Sequence, residues 1–247
     1  MHDFVLFDGG VKKLPRLHQY FGIKAAQQHV TQKKGGIIWH THGSGKSIVM
    51  VLLAKWILEH NPNARVAIII DRDELDLQIE RVLTDAGEPI ERAGSGRELM
   101  QQLGQASPRL LCSLVHKFGR RDIDDFEQYL KDLQAQPSAT VGEVSVFVDE
   151  CHRTQSGKLH RVMKAMMPNA VIIGFTGTPL LKRDAQTSLD LFGGYIHTYK
   201  FAEAVADGVI LDLVYEARDI EQKLASTEKI DAWFAAKKSF ARHTRHG

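Results

Sequence analysis

The stretch Trp39-His40-Thr41-His42-Gly43-Ser44-Gly45-Lys46-Ser47 decides how this chain folds. A short apolar run, residues 36–39, leads into it, and an apolar-periodic helical pattern, residues 47–59, leads out. A glycine-rich turn between a strand and a helix is the setting a phosphate-binding loop requires. Glycines let backbone N–H groups curl round phosphate oxygens where a side chain would block the approach, and the N-terminus of the following helix favours an anion. Thr41, Gly43, Ser44 and Gly45 then form the cradle, Lys46 reaches the β- and γ-phosphates, and the Ser47 hydroxyl ligates Mg²⁺. One position departs from the strict motif, because His40 stands where glycine is expected six residues before the lysine.

Outward from this loop, short Val- and Ile-rich runs at 36–39, 66–70, 110–115, 144–148 and 171–175 alternate with helical patterns at 47–59, 74–86, 122–134 and 158–167. The runs do not alternate polar and apolar residues, as befits strands buried on both faces. Strand and helix in alternation predict an α/β fold, a mostly parallel sheet with helices on both faces. Residues 136–140 and Gly142 read as a surface loop. Residues 211–215 are a candidate further strand.

Composition narrows the function. A hydrophobic fraction of 43% in 247 residues is enough for a sizeable core, and a net charge of +2 excludes a general polycationic nucleic-acid binder. Contact with DNA must come from a local patch. Two distant cysteines, Cys112 and Cys151, form no disulfide framework, which predicts a reducing, cytoplasmic setting. No apolar run is long enough to span a bilayer, and the start has no export signal, so no membrane partner is expected. Scattered histidines without paired cysteine spacing argue against zinc, and nothing resembles the substrate lid of a P-loop kinase.

The run 144–148 ends in Asp149-Glu150-Cys151-His152-Arg153. Ligands bind at the carboxyl ends of strands in open α/β sheets. Asp149 is the candidate Mg²⁺ carboxylate, and Glu150 is the candidate general base for the attacking water. Two adjacent acids repel one another unless a cation lies between them. Cys151 reads as a small filler. His152 reads either as polar packing or as a sensor linking nucleotide to the next motif. That motif is Gly174-Phe175-Thr176-Gly177-Thr178-Pro179, a rigid turn whose hydroxyls can hydrogen-bond the acidic loop.

In this order and spacing, Gly-Ser-Gly-Lys-Ser, Asp-Glu-Cys-His and Thr-Gly-Thr-Pro resemble the first RecA-like lobe of superfamily 2 helicases and translocases. The finer resemblance is to the motor (restriction) subunit of type I restriction enzymes. It rests on the Asp149–Arg153 form, the run Asp71-Arg72-Asp73-Glu74-Leu75-Asp76-Leu77-Gln78, the leader Arg16-Leu17-His18-Gln19-Tyr20-Phe21 and the run Ala204-Val205-Ala206-Asp207-Gly208, and it covers roughly residues 4–235. The resemblance implies ATP and Mg²⁺ as cofactors, DNA as substrate track, and methylation and specificity subunits as partners. It makes Gln19 the reader of the adenine edge with Arg16 beside it, which a Gln amide suits chemically; a helix-capping or surface Gln is the alternative. It makes Arg153, Thr176, Gly177 and Thr178, with His152, the elements that couple nucleotide to movement. It makes Arg72, Ser113, His116 and Lys117 candidate DNA contacts, although Ser113–Lys117 departs from the family's commoner Thr-Thr-x-Gln pattern.

The organisation expected is a helical leader at 1–35, a motor lobe at 36–200 and an extension at 201–247 toward a second lobe. No Gln-x-x-Gly-Arg-x-x-Arg-like run follows, so the chain alone should bind nucleotide weakly and turn it over poorly; an arginine finger is worth about 10³–10⁵ in rate. The basic tail 237–247 reads as a solvated end. Two other readings stay open: another superfamily 2 repair or remodelling motor, or a nucleotide-binding interaction module without turnover.

Overall fold

From Val66 to Ile70 the chain is wholly apolar and β-branched apart from Ala67, and β-branched side chains fit a pleated surface packed on both sides. The computed structural model describes residues 4–8, 10–70, 90–114, 140–151, 161, 163–165, 167–178, 189 and 192–214. In chain order these form a hairpin of β1 (Leu6–Asp8) and β2 (Val11–Lys13), then α1 (Leu17–Thr31), β3 (Gly36–His40), α2 (Lys46–His60) and β4 (Ala64–Ile70). There follow β5 (Ile90–Ala93), α3 (Gly96–Leu103), β6 (Leu110–Leu114), β7 (Glu143–Val148), β8 (Val171–Thr176), β9 (Tyr195–Tyr199) and α4 (Phe201–Ala206).

A seven-stranded sheet has the order β5-β6-β4-β7-β8-β3-β9, and each neighbouring pair in it is parallel. Alternate residues supply two cores. Val66, Ile68 and Ile70 join Ile38, Phe147, Ile173 and Phe175 beneath α1 and α2. Ala67 and Ile69 join Ile37, Val146, Val148 and Ile172 on the other face, with Leu99 and Leu103 of α3. Six consecutive residues of α2, Val49 to Ala54, are buried, so this helix is enclosed on nearly every side. That enclosure fixes the helix whose first turn ends the glycine-rich loop.

The five expected strands are β3, β4, β6, β7 and β8, with ends shifted by at most two residues; Val115 lies outside the described residues. The expected helix at 47–59 is α2, and within 158–167 the described residues 161 and 163–165 are helical. The helices expected at 74–86 and 122–134 lie outside the described residues. Sequence reading did not find β5 or β9. Both carry polar residues and sit at the sheet's two edges, where half-exposed strands lose the continuous apolar signature.

The chain divides into one unit of residues 1–211 and another of residues 212–247. The strand expected at 211–215 is corrected: residues 211–214 form no strand, and Leu211 and Val214 are 92% and 95% exposed. Their apolar pattern has strand propensity, but a strand is made by a partner's hydrogen bonds, and no described strand pairs with them. No helix among the described residues is long and apolar enough to cross a membrane.

Candidate nucleotide-binding site

The sheet order puts β7, β8 and β3 side by side and parallel. Their carboxyl ends therefore open on the same edge. The glycine-rich loop leaves β3, the acid pair leaves β7, and Thr176-Gly177-Thr178 ends β8. Three motifs scattered over 140 residues become neighbours through the topology alone.

The loop is built on two left-handed glycines, Gly43 at φ +77° and Gly45 at φ +82°. A Cβ at Gly45 would also collide with the Gln19 amide nitrogen. The Ser44 hydroxyl donates to Thr41 O at 2.5 Å, and Thr41 N donates to Tyr199 O at 2.9 Å, which pins the loop's first residues to β9. Gln19 grips the far side. Its Nε2 donates to Ser44 O at 2.8 Å and to Gly45 O at 3.4 Å, and its Oε1 accepts from Arg16 N at 2.8 Å. The residue expected to read adenine thus already ties the leader helix to the phosphate loop. Sequence reading missed His18, the residue beside it. Its Nε2 meets Ser44 O at 2.9 Å, and its ring stacks on Tyr199 at 3.9 Å with an interplanar angle of 1°. Acting as donor to that carbonyl requires the Nε2–H tautomer.

Across the edge, Asp149 N donates to Ile69 O at 2.9 Å and Cys151 N to Phe175 O at 3.0 Å, so the acidic turn is stitched to the strands on both sides of β7. Glu150 adopts φ +47°, a left-handed conformation uncommon for a residue with a Cβ. Its carboxylate Oε1 lies 3.9 Å from Nδ1 of His42, on the glycine-rich loop itself. His42 Nε2 also meets the Thr178 hydroxyl at 3.2 Å. A Cβ on Gly177 would fall 2.7 Å from the His42 ring and 2.8 Å from Lys46 Nζ, so this glycine leaves room for both side chains. Cys151 is a filler as expected: its sulfur occupies the space a Gly174 side chain would take. Burial pushes its thiol well above the ordinary range, Asp149 and Glu150 push the same way, and Lys46 is near enough to oppose them.

His40 replaces the motif's first glycine and is fully buried. Its ring occupies space that Gly22 leaves open, and its Nε2 meets His197 Nδ1 at 2.9 Å. Burial, followed by the charges of His197, His18 and Lys46, lowers its pKa to about 3. Burial also lowers His18 and His197. A histidine held neutral in the fold stabilises it fully above its unfolded pKa of about 6.5. That stability is lost as pH falls from there toward the folded value. His40 alone should remove about 2 kcal/mol between pH 6.5 and pH 5. Thermal melts across this window should show a steep acid loss that is shallower in His40→Asn. An identical slope in the two proteins would refute the neutral, buried assignment.

Of the remaining candidates, Arg72, His116, Lys117, His152 and Arg153 lie outside the described residues. Ser113 does not suit a DNA contact: it is buried, and its hydroxyl donates to Ala93 O at 3.0 Å, inside the sheet. A serine at a strand end carries the same letter whether it faces solvent or a neighbouring strand. The residues present fit a nucleoside triphosphate and its ion. Lys46 opens α2 behind a loop of left-handed glycines, and the Ser47 hydroxyl and Asp149 carboxylate are the hard oxygen donors that magnesium takes.

A parallel sheet with this loop, acid pair and Thr-Gly-Thr turn on one edge defines a RecA-like P-loop ATPase lobe. The chain belongs to the SWI2/SNF2 ATPase family, which matches residues 18–246. It is 30% identical over 246 residues to a putative type I restriction enzyme endonuclease subunit, MjaIXP, of Methanocaldococcus jannaschii, covering 95% of this chain and 23% of that protein. It is 31% identical to the HindI endonuclease subunit of Haemophilus influenzae, covering 94% of this chain and 24% of that one. The chain thus spans about a quarter of the length of these relatives. Among solved structures, the type ISP restriction-modification enzyme LlaBIII bound to DNA shares the fold at TM-score 0.55 and 15% identity, over 79% of this chain and 16% of that one. The Sulfolobus solfataricus SWI2/SNF2 ATPase core in complex with dsDNA does so at TM-score 0.52 and 14% identity, over 78% and 38%.

Proposed function

We propose that this chain is the first motor lobe of an ATP-driven DNA translocase in a type I restriction complex, acting in the cytoplasm beside methylation and specificity subunits. The observation that carries this reading is the meeting of His42, Lys46, Glu150 and Gly177 at the carboxyl ends of three adjacent strands. Lys46 and the loop amides hold the triphosphate, and Gln19, steadied by Arg16, lies at the adenine side. Ser47 and Asp149 hold magnesium, which supplies charge neutralisation on the phosphates. Glu150 orients and deprotonates the attacking water. Thr176, Gly177 and Thr178, with His152 and Arg153, pass the state of the site onward. Arg72, His116 and Lys117 remain the proposed DNA-backbone contacts, and cleavage of DNA belongs to the full complex.

Residues 36–200 act as the lobe, with 1–35 as its nucleotide-side leader and 201–247 running toward a second lobe. Without that lobe's arginines, we expect weak binding and slow turnover. The test is a titration with a fluorescent ATP analogue and Mg²⁺. Lys46→Ala should lose at least tenfold in affinity, the scale of a charged hydrogen bond. Equal affinity in the two proteins would defeat the reading. Binding without any DNA-stimulated turnover in the longer subunit would favour a nucleotide-dependent interaction module instead.

A further inference from the structure

His42 lies on the phosphate loop immediately before its first glycine, Gly43. One ring nitrogen faces Glu150 and the other faces the Thr178 hydroxyl, so a single imidazole spans the carboxyl ends of β3, β7 and β8. Three further features favour this placement. Gly177 lacks the side chain that would displace the ring. Glu150 accepts a left-handed backbone, and the carboxylate beyond it reaches toward the loop. The Thr176 hydroxyl accepts from Thr178 N at 3.2 Å, which steadies the turn that carries the Thr178 hydroxyl.

The exposures separate role from stability. The His42 side chain is 66% exposed and that of Glu150 only 13%. A polar contact open to water on one side contributes little to folding. What it does is restrict a carboxylate that must meet a water molecule in one orientation, and small misplacements of reacting groups are costly in rate.

We propose that His42 is a positioning residue for catalysis, a clasp from the phosphate loop that aims the Glu150 carboxylate and registers it to Thr178. The inference rests on the hydrolytic reading above and deepens it. Nε2 can accept from the Thr178 hydroxyl at 3.2 Å, which leaves Nδ1–H facing the carboxylate at 3.9 Å, close enough to donate after a small shift; a neutral imidazole allows both roles. A nucleotide entering the loop would thereby meet a carboxylate already aligned by the loop that binds the phosphates.

The experiment compares wild type, His42→Ala and His42→Gln as full chains. It measures Mg·ATP affinity, melting temperature and single-turnover hydrolysis with protein in excess. His42→Ala should slow hydrolysis about tenfold, with affinity little changed and the melting temperature within about 2 °C. His42→Gln keeps a donor and an acceptor and should recover most of the rate. A rate in His42→Ala within twofold of wild type overturns the clasp, as does a loss of affinity that accounts for the whole rate effect. A wild-type chain that binds ATP and hydrolyses none removes the base role from Glu150 and overturns the clasp with it. A wild-type chain that binds no ATP defeats the nucleotide-site reading itself, and that outcome is told apart by the binding arm alone.

Discussion

Glu150→Gln should bind Mg·ATP about as well as the wild-type chain and hydrolyse it about 10²–10⁴-fold more slowly, the range in which a positioned general base contributes. The amide is isosteric, so the left-handed turn at Glu150 and the backbone bonds from Asp149 to Ile69 and from Cys151 to Phe175 should survive. What disappears is the proton acceptor. Asp149→Asn makes the necessary contrast. Asp149 is buried and proposed as the metal carboxylate, so its loss should weaken dependence on Mg²⁺ as well as rate, whereas Glu150→Gln should leave the magnesium titration unchanged. Single-turnover hydrolysis of labelled ATP with protein in excess resolves even slow rates. If Glu150→Gln hydrolyses within threefold of wild type, some other group activates the water.

The parts of this site legible in the sequence are the contiguous ones. Gly43-Ser44-Gly45-Lys46-Ser47 and Asp149-Glu150 announce themselves because backbone geometry and charge are local properties. The parallel sheet was legible because its central strands, buried on both faces, read as uninterrupted Val and Ile. Contacts between distant residues were not. His18 and Ser44 are 26 residues apart, and His42 and Thr178 are 136 apart. Nothing in a histidine's neighbours along the chain says which carbonyl or hydroxyl it will meet. His40 looked like a defect in the motif. The structure gives it a reason, because Gly22 on α1 has surrendered the space the ring fills. Ser113 failed as a DNA contact for the converse reason: its surroundings are set by β5, an edge strand that left no apolar signature.

Arg65→Met should lower stability by about 4 kcal/mol, because Arg65 is a buried cation held, among the described residues, by carbonyls and no carboxylate. It is the second residue of β4, a strand buried along its whole length, and is itself only 2% exposed. Nη1 donates to Leu103 O at 2.6 Å and Nη2 to Gln102 O at 2.9 Å, and the carbonyls of Gln105 and Pro108 lie on the same two nitrogens. The planar guanidinium thus closes the connection between α3 and β6. Arg109 secures its other end, donating to Leu58 O at 2.6 Å and Asn61 O at 2.7 Å. Burial lowers the Arg65 pKa, but a guanidinium stays charged at any ordinary pH. Methionine matches much of the stem and none of the donors: the carbonyls of Gln105 and Pro108 lose the guanidinium, while those of Leu103 and Gln102 keep the backbone N–H donors of Val141 and Gln105. A hydrogen bond to a charged group contributes about 1.5–3 kcal/mol, and the remaining backbone donors together with access of water to the exposed part of the loop offset much of the sum of four. In a chain of this length the melting temperature should fall by about 10 °C. Lysine restores the charge but presents a point donor that cannot reach the four carbonyls together, so Arg65→Lys should recover only a minority of the loss. Nucleotide affinity well below the melting point should be little affected, because these carbonyls lie at the end of the sheet opposite the phosphate loop, where β4 and β6 begin. A melting temperature for Arg65→Met within about 2 °C of wild type would mean that the carbonyl cluster finds water as readily as it finds the guanidinium, and that the charge in the strand contributes nothing to holding the fold.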